Sequence, residues 1–255
     1  MYIDSHCHLN FQGLAEDIHT ILANMRANQV THALCVSVDL ATFPQVLSLA
    51  ETFDNIFASV GVHPDYELDL EPTQQELVKL AQHPKVVAIG ETGLDYFRLT
   101  GDMEWQRERF RTHIRAAKES GKPLIIHTRS AAADTLRIMD EEEASKVGGV
   151  MHCFTENLEI ALAAIELGFY ISFSGILTFK NATNIKDVAQ KIPLEKILIE
   201  TDSPYLAPSP YRGKTNQPAY VKHIAEEISR LRNISPEEVG LITSQNFSRL
   251  FLANI

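Results

Sequence analysis

Histidines and carboxylates recur directly after short apolar runs, and these side chains are the ones that bind divalent metal ions. The segments concerned read DSHCH near the N-terminus and then GVHP, IGETGLD, IIHTR, VMHCF and IETDSP. They contain the candidate metal ligands His6, His8, Glu91, His127, His152 and Asp202. A mixed imidazole and carboxylate set suits Zn²⁺, Mn²⁺, Fe²⁺, Co²⁺ or Ni²⁺, and suits Mg²⁺ less well.

The candidate set is larger than one tetrahedral ion requires. Two ions about 3.5–4 Å apart, bridged by a carboxylate, would use it fully. Glu91 is the best candidate for the bridge, because Gly90 and Gly93 beside it allow close backbone approach. A metal pair activates water and stabilises charge on the attacked centre, so the set predicts a hydrolase with two divalent ions per chain.

The cysteines are not predicted to be ligands of this site. His6 and His8 are two residues apart on a predicted strand and share one face, so Cys7 points to the other. We expect Cys7, Cys35 and Cys153 to be small buried apolar residues, since no C-x-x-C spacing occurs. Three cysteines make no disulfide framework, which indicates a reduced, cytoplasmic protein.

Eight apolar segments, whose first residues lie 20 to 38 positions apart, are predicted to be strands. They are Tyr2–His8, Ala33–Val38, Phe57–His63, Val86–Glu91, Leu124–Thr128, Val150–Phe154, Tyr170–Ser174 and Ile197–Asp202. Their lack of alternation is typical of buried parallel strands. The segments between them have helical periodicity, as in Asn157–Leu167 and Ala219–Leu231. Gly121 is predicted to stop a helix, Ser235–Pro236 to open a short one, and Ser244–Leu252 to form a C-terminal helix.

Eight βα units over residues 1–255 predict a single (β/α)8 TIM barrel. A doubly wound open sheet is the alternative, but it would carry a glycine-rich phosphate loop after the first strand, where this chain reads HCHLNFQG. In a barrel the carboxyl ends of the strands form the mouth. The candidate ligands are therefore expected to converge there, and metal binding would offset the desolvation of so many polar groups.

Composition excludes several classes of protein. Hydrophobic residues make up 45% of the 255 residues and charged residues 22%, as in an ordinary globular domain. No apolar run approaches the roughly 18 residues of a membrane span, and the N-terminus lacks the basic region of a secretory signal. The net charge of −10 argues against a protein that coats duplex DNA. We expect a monomer without an obligate protein partner.

Taken together, the motifs HxH, GVHP, GETGLD, IIHTR, HCF, ETDSPYLAP and RGKTNQPA resemble the TatD family of metal-dependent hydrolases, within the amidohydrolase-like superfamily. The resemblance extends from Ile3 to the C-terminal NFSRLF, and is greatest to the bacterial YcfH branch. It implies that His6 and His8 bind one metal, that Glu91 bridges, and that His127 and His152 bind the second. It also implies that Asp202 binds metal and handles the proton of the nucleophilic water, and that His63 lies close to the substrate phosphate.

The resemblance further implies a phosphodiesterase, expected here to be a 3′–5′ exodeoxyribonuclease acting on single-stranded or frayed DNA ends. Ser130 stands where an acidic residue is common in relatives, which concerns substrate preference and not the metal set. Two alternatives stay open: a metal-dependent amidohydrolase or esterase on a small substrate, and a non-catalytic metal-binding barrel. Glu91 occupies the place where amidases of the superfamily often have a modified lysine, which favours the phosphodiesterase.

The residues also suggest how catalysis would be divided. Asp202 could accept the proton of the attacking water, and His63 could donate a proton to the leaving oxygen or a hydrogen bond to the phosphate. Arg129, two residues beyond His127, is expected to bind phosphate. Glu200 shares the strand face of Asp202 and could orient a ligand histidine. Lys180, Arg212 and Lys214 lie on late loops, where barrels often bind phosphate.

Overall fold

A computed structural model describes residues 1–66, 70–97 and 101–251 of the chain. Its strands form one sheet of eight, in which each strand pairs in parallel with the next along the chain. The strands are β1 (Tyr2–Cys7), β2 (Val30–Cys35), β3 (Ile56–Val60), β4 (Val86–Asp95), β5 (Leu124–Arg129), β6 (Gly149–Met151), β7 (Phe169–Phe173) and β8 (Ile197–Ile199). Parallel strands need crossover connections, which the helices between them supply.

The sheet closes where the chain beyond β8 meets β1. The backbone N–H of Asp202 donates to the carbonyl of His6 at 2.9 Å, and the N–H of His8 donates to the carbonyl of Ser203 at 2.8 Å. Cys7 and Ser203 form an isolated parallel bridge at the same place. The predicted (β/α)8 barrel is thereby confirmed, and its closing seam joins the segments that hold the first and last candidate ligands.

The helices of the described ranges follow the strands in order. They are α1 (Ile18–Ala27), α2 (Phe43–Thr52), α3 (Gln74–Ala81), α4 (Glu104–Ser120), α5 (Ala132–Glu141), α6 (Leu158–Glu166), α7 (Thr183–Lys191), α8 (Val221–Arg232) and α9 (Pro236–Phe251). Gly121 ends α4 with a φ of 66°, as predicted for a helix stop. None of these helices is long and apolar enough to cross a membrane.

Two apolar layers hold the barrel together. The larger lies between the helices and the outer face of the strands. The smaller fills the inside near the amino ends of the strands, where Ile3, Ile125 and Leu198 pack with Phe247 and Phe251 of α9. Because α9 closes that end, the opposite end is left for the polar residues.

Several predicted boundaries were wrong. Val30–Cys35 forms the second strand instead of Ala33–Val38, and β1, β3, β6, β7 and β8 stop before the residues predicted to end them. The candidate ligands after those strands therefore lie on the connecting segments. The two predicted C-terminal helices are one, α9, and Leu252 lies outside the described residues. Gly240 lets α9 pack closely against the start of β1, since a Cβ there would come within 2.5 Å of the Met1 carbonyl oxygen.

Candidate metal centre at the barrel mouth

Local irregularities in two strands shape the polar end of the barrel. Between Asp4 and Cys7, β1 advances three residues while β2 advances two, and β4 does the same against β5 between Ile89 and Thr92. Such bulges re-aim side chains. The second one contains Gly90, whose φ is 142° and where a Cβ would come within 2.6 Å of the Ile125 carbonyl oxygen, so only glycine fits.

Glu91 lies at the centre of the site and is 2% exposed. Its carboxylate contacts four imidazole rings. Its Oε1 atom is 2.7 Å from Nε2 of His152, 3.2 Å from Nδ1 of His127 and 3.4 Å from Nε2 of His63. The Oε2 atom is 3.2 Å from Nε2 of His6. The two oxygens thus face different histidines, an arrangement in which one carboxylate could contact two cations.

Asp202 faces the same cluster from the closing seam. Its Oδ1 atom is 3.4 Å from Nε2 of His8 and 3.7 Å from Nε2 of His6, and the two histidine nitrogens are 3.3 Å apart. The candidate ligands form three overlapping groups, and within each group the ligand atoms lie within 4.8 Å of one another. They are His6, His8 and Glu91; His6, His152 and Asp202; and His63, Glu91 and His127.

The hydrogen bonds on the far side of the rings indicate that this cluster fits metal ions. Nδ1 of His8 faces the carbonyl of Val36 at 3.0 Å, and a carbonyl only accepts, so this nitrogen carries the proton. The outer nitrogens of His127 and His152 likewise face carboxylates, those of Asp95 at 3.0 Å and Glu200 at 3.2 Å. The unprotonated nitrogens then point inward, as in metal-binding histidines.

Nε2 of His152 gives the sharpest test of that fit. It is buried and has no hydrogen-bond partner in the described part of the chain, although Oε1 of Glu91 lies only 2.7 Å away. When Nδ1 donates to Glu200, the neutral ring turns a lone pair toward a carboxylate oxygen. A cation bound by both atoms would satisfy them, and a proton shared with Nε2 would do the same for the metal-free protein.

The neighbouring histidines lower the pKa values of the two carboxyl groups in the cluster, Glu91 and Asp202. Burial raises the pKa of Glu91, but His152, His63 and His6 outweigh burial and hold that pKa well below its usual range. Burial also acts against ionisation of Asp202, but the pKa of its carboxyl is nevertheless lowered, first by the adjacent His8 and then by His6 and His152. The carboxylates are therefore ionised at neutral pH, and the cluster attracts positive charge.

His63 differs from the other histidines in its hydrogen bonds. Its Nδ1 atom accepts the backbone N–H of Asp65 at 3.1 Å, so in the neutral ring the proton is on Nε2. Burial is the main reason that the pKa of His63 is lowered to about 3. His127 and His152 also lower this pKa, and Glu91 acts in the opposite direction. The ring thus offers an N–H toward the cluster, although its distances alone would permit ligation.

The sequence did not identify the residues whose hydrogen bonds keep the site histidines and their connecting segments in place. Asp95, in the GETGLD segment itself, is buried and holds His127. Three buried polar residues of α4 bind the segment that follows β3: Gln106 donates to the Pro64 carbonyl, Arg109 donates to that of His63, and His113 accepts the N–H of Val62. Their spacing along an otherwise apolar helix face was the available signal.

The predicted phosphate-binding cations lie on the rim. The guanidinium of Arg129 is 3.8 Å from the ring centroid of Phe97, and its Nη1 atom is 3.9 Å from Oδ2 of Asp95. Arg212 lies over Phe179 at 3.8 Å and Lys214 over Tyr211 at 6.0 Å. Lys180, Arg212 and Lys214 are exposed to solvent.

The cysteines contribute no candidate ligand. Cys7 and Cys35 are buried, as predicted, and Cys7 donates to the carbonyl of Leu34 on the side away from the cluster. Cys153 is partly exposed, which corrects the expectation of full burial. Its left-handed backbone, with a φ of 42°, places Sγ 3.2 Å from the hydroxyl of Ser174.

A parallel barrel with histidines and carboxylates gathered at its mouth is the architecture of a metal-dependent hydrolase. The family described as TatD related DNase matches residues 3–252, and the chain belongs to this TatD family. It is 46% identical over 252 residues to the uncharacterized metal-dependent hydrolase YcfH of Escherichia coli K12, covering 98% of this chain and 95% of that protein.

Two further similarities agree with this membership. The uncharacterized metal-dependent hydrolase YabD of Bacillus subtilis is 42% identical over 257 residues, which cover all of both chains. The crystal structure of YjjV, a TatD homologue from E. coli K12, superimposes with a TM-score of 0.91 at 28% identity, covering 99% of this chain and 98% of that one.

Proposed function

We propose that this hydrolase is a phosphodiesterase that removes nucleotides stepwise from the 3′ ends of single-stranded or frayed DNA. The observation that carries the proposal is the position of Glu91 among four imidazoles, with Asp202 opposite. In this proposal two divalent ions are held by His6, His8, Glu91, His127, His152 and Asp202. Such ions supply an activated water at neutral pH and offset charge on the phosphate.

The chain's own residues divide the remaining tasks according to their exposure. Asp202 is the proton acceptor, because its carboxylate is ionised and its side chain is 16% exposed, within reach of a substrate. The deeply buried Glu91 stays an anchor. His63 donates an Nε2–H hydrogen bond to a phosphate or leaving oxygen, because the Asp65 N–H occupies Nδ1 and its pKa of about 3 keeps the ring neutral at neutral pH.

The shape and charge of the molecule support a chain end as substrate. A net charge of −10 disfavours adhesion along a duplex, whereas a local cation such as Arg129 can hold one phosphate of a strand that enters the mouth. The recessed position of Glu91 requires the scissile phosphate to enter the barrel end. An unpaired terminus can do so more readily than a stacked duplex.

A digest of end-labelled DNA with added Mn²⁺ or Mg²⁺ tests the proposal. We expect single nucleotides from the 3′ end of linear single strands, slower release from blunt duplex, and little cleavage of closed single-stranded circles. Labels at the 5′ and 3′ ends in separate reactions establish the direction. Circles cleaved as fast as linear strands would refute the end-dependent mode, and a lack of phosphodiester turnover would refute the activity.

A further inference from the structure

A cleft of about 470 Å³ opens beside the candidate metal centre. Its walls come from loops that directly follow candidate site residues. Asn10 and Phe11 follow His8, Tyr66 follows His63, and Tyr205 follows Asp202. Because Phe11 of the cleft wall stacks on His8, a molecule in the cleft lies next to this candidate ligand.

Aromatic rings form the sides of this cleft. Phe11 stacks on His8 with the ring centroids 4.7 Å apart and meets Tyr205 edge-on at 6.3 Å. Tyr205 and Tyr66 are 56% and 39% exposed, so both side chains are accessible from solvent. These exposed ring faces are available to a flat partner.

The polar groups of the cleft are neutral or acidic. Asn10 and Gln45 contribute amides, and Asp39 contributes a carboxylate whose oxygens accept the N–H and hydroxyl of Thr42. Among the residues that the structure describes, those that line the cleft include no lysine or arginine. A phosphate would lack a counter-charge here, whereas an uncharged ring with donors and acceptors on its edge would be matched.

The cationic side of the mouth lies elsewhere, at Arg129 on β5. The mouth is thus asymmetric. An aromatic cleft, without a lysine or arginine among its described lining residues, is formed by the segments after β1, β2, β3 and β8, and a guanidinium stands at the end of β5. A nucleotide chain has the same asymmetry, because its bases are flat and neutral and its backbone is anionic.

We propose that the cleft binds the nucleobase of the terminal nucleotide, stacked against Tyr205 and Tyr66, while its phosphodiester faces Glu91 and Asp202. This inference rests on the proposed phosphodiesterase activity and names the part of the substrate that this surface recognises. Base stacking on aromatic side chains tolerates any base, so the cleft contributes affinity without strict sequence preference.

Three chromogenic phosphodiesters that share the same leaving group, 4-nitrophenol, test the proposal. They are the 4-nitrophenyl esters of thymidine 5′-phosphate, of the corresponding abasic deoxyribose 5-phosphate and of methyl phosphate. We expect kcat/KM for the thymidine ester to exceed that for the abasic ester by about tenfold or more, mainly through KM. Tyr205→Ala should reduce this ratio toward one, and Tyr205→Phe should preserve it.

Leu241→Ala, which truncates an exposed side chain on α9 away from the cleft, is the matched control and should leave the ratio unchanged. Equal efficiency for the thymidine and abasic esters in the unaltered protein would overturn the base site. If no ester is hydrolysed, the phosphodiesterase proposal fails. Calorimetric binding of thymidine 5′-phosphate against deoxyribose 5-phosphate then decides the base site: about tenfold tighter binding of the nucleotide, lost in Tyr205→Ala, supports it, and equal binding refutes it.

Discussion

Nε2 of His152 lies 2.7 Å from Oε1 of Glu91 without hydrogen-bond geometry, and both side chains are almost fully buried. An imidazole lone pair and a carboxylate oxygen at this distance repel each other unless a positive charge lies near them. Without metal that charge is a proton, since the carboxylates Glu91 and Glu200 raise the pKa of His152 well above its usual value, against burial.

Metal ions should therefore stabilise the fold in a pH-dependent way. The raised pKa of His152 stabilises the metal-free protein fully below the unfolded-state pKa, and this contribution is lost as pH rises through the folded-state value. A metal must displace that proton, so its affinity increases with pH. Differential scanning calorimetry should show a larger rise in Tm on adding Mn²⁺ at about pH 8 than at about pH 6. Each ion at 100 times its Kd contributes about 2.7 kcal/mol.

Elemental analysis after reconstitution should approach two ions per chain, and Glu91→Ala should lose them. Chelation should abolish hydrolysis. Full activity after exhaustive chelation, or a Tm independent of added metal at every pH, would contradict the metal dependence of this site.

Asp202→Asn should retain the fold and at least one metal but lower kcat by about 10²- to 10⁴-fold, because an amide cannot accept the proton of the attacking water. Steady-state kinetics and metal content measured on one preparation separate the two effects. Asp187→Asn, at an exposed position paired with Lys191, is the matched control. Normal turnover in Asp202→Asn would exclude the proton-acceptor role.

His63→Ala should leave metal content unchanged and lower kcat/KM by about 10- to 100-fold, the effect of one hydrogen bond to a charged group. The reason is that Asp65 N–H occupies Nδ1 and leaves an N–H on Nε2. His83→Ala, at a partly exposed histidine paired with Glu51, controls for loss of an imidazole. Loss of one metal ion in His63→Ala would show instead that His63 is a ligand.

Glu200→Gln should weaken metal binding by about 10- to 100-fold, because the carboxylate orients His152 through Nδ1. Its Oε1 atom also accepts the Cys153 N–H at 2.6 Å, which the amide oxygen can retain. Competition with a chromogenic chelator measures the affinity. An unchanged affinity would mean that His152 keeps its orientation without the charge.

Arg109→Lys should destabilise the protein by about 2 kcal/mol or more in urea unfolding. The buried guanidinium binds both oxygens of Glu71 and donates to the His63 and Tyr66 carbonyls, and an ammonium cannot reach all of them. Arg137→Lys, a change at a surface ion pair, should alter stability by less than about 1 kcal/mol. Equal effects of the two substitutions would show that the α4 contacts are not important for stability.

The sequence by itself determined the barrel and the chemical types at its mouth. Buried parallel strands are apolar throughout and their polar residues follow them, so the eight runs and the residues after them, such as His152 and Asp202, were recognisable locally. Strand ends were less predictable, because whether a residue pairs depends on a neighbour distant in the chain. His63 accordingly lies beyond β3 and not within it.

Only the tertiary structure decided how the polar groups meet. The bulges of β1 and β4 arise from pairing between strands, and they set which way side chains such as Glu91 point. The hydrogen bond by which the Asp95 carboxylate holds His127 likewise joins residues that are distant in the chain. Periodicity reports the face on which a residue lies, whereas hydrogen-bond partners and distances depend on closure of the whole sheet.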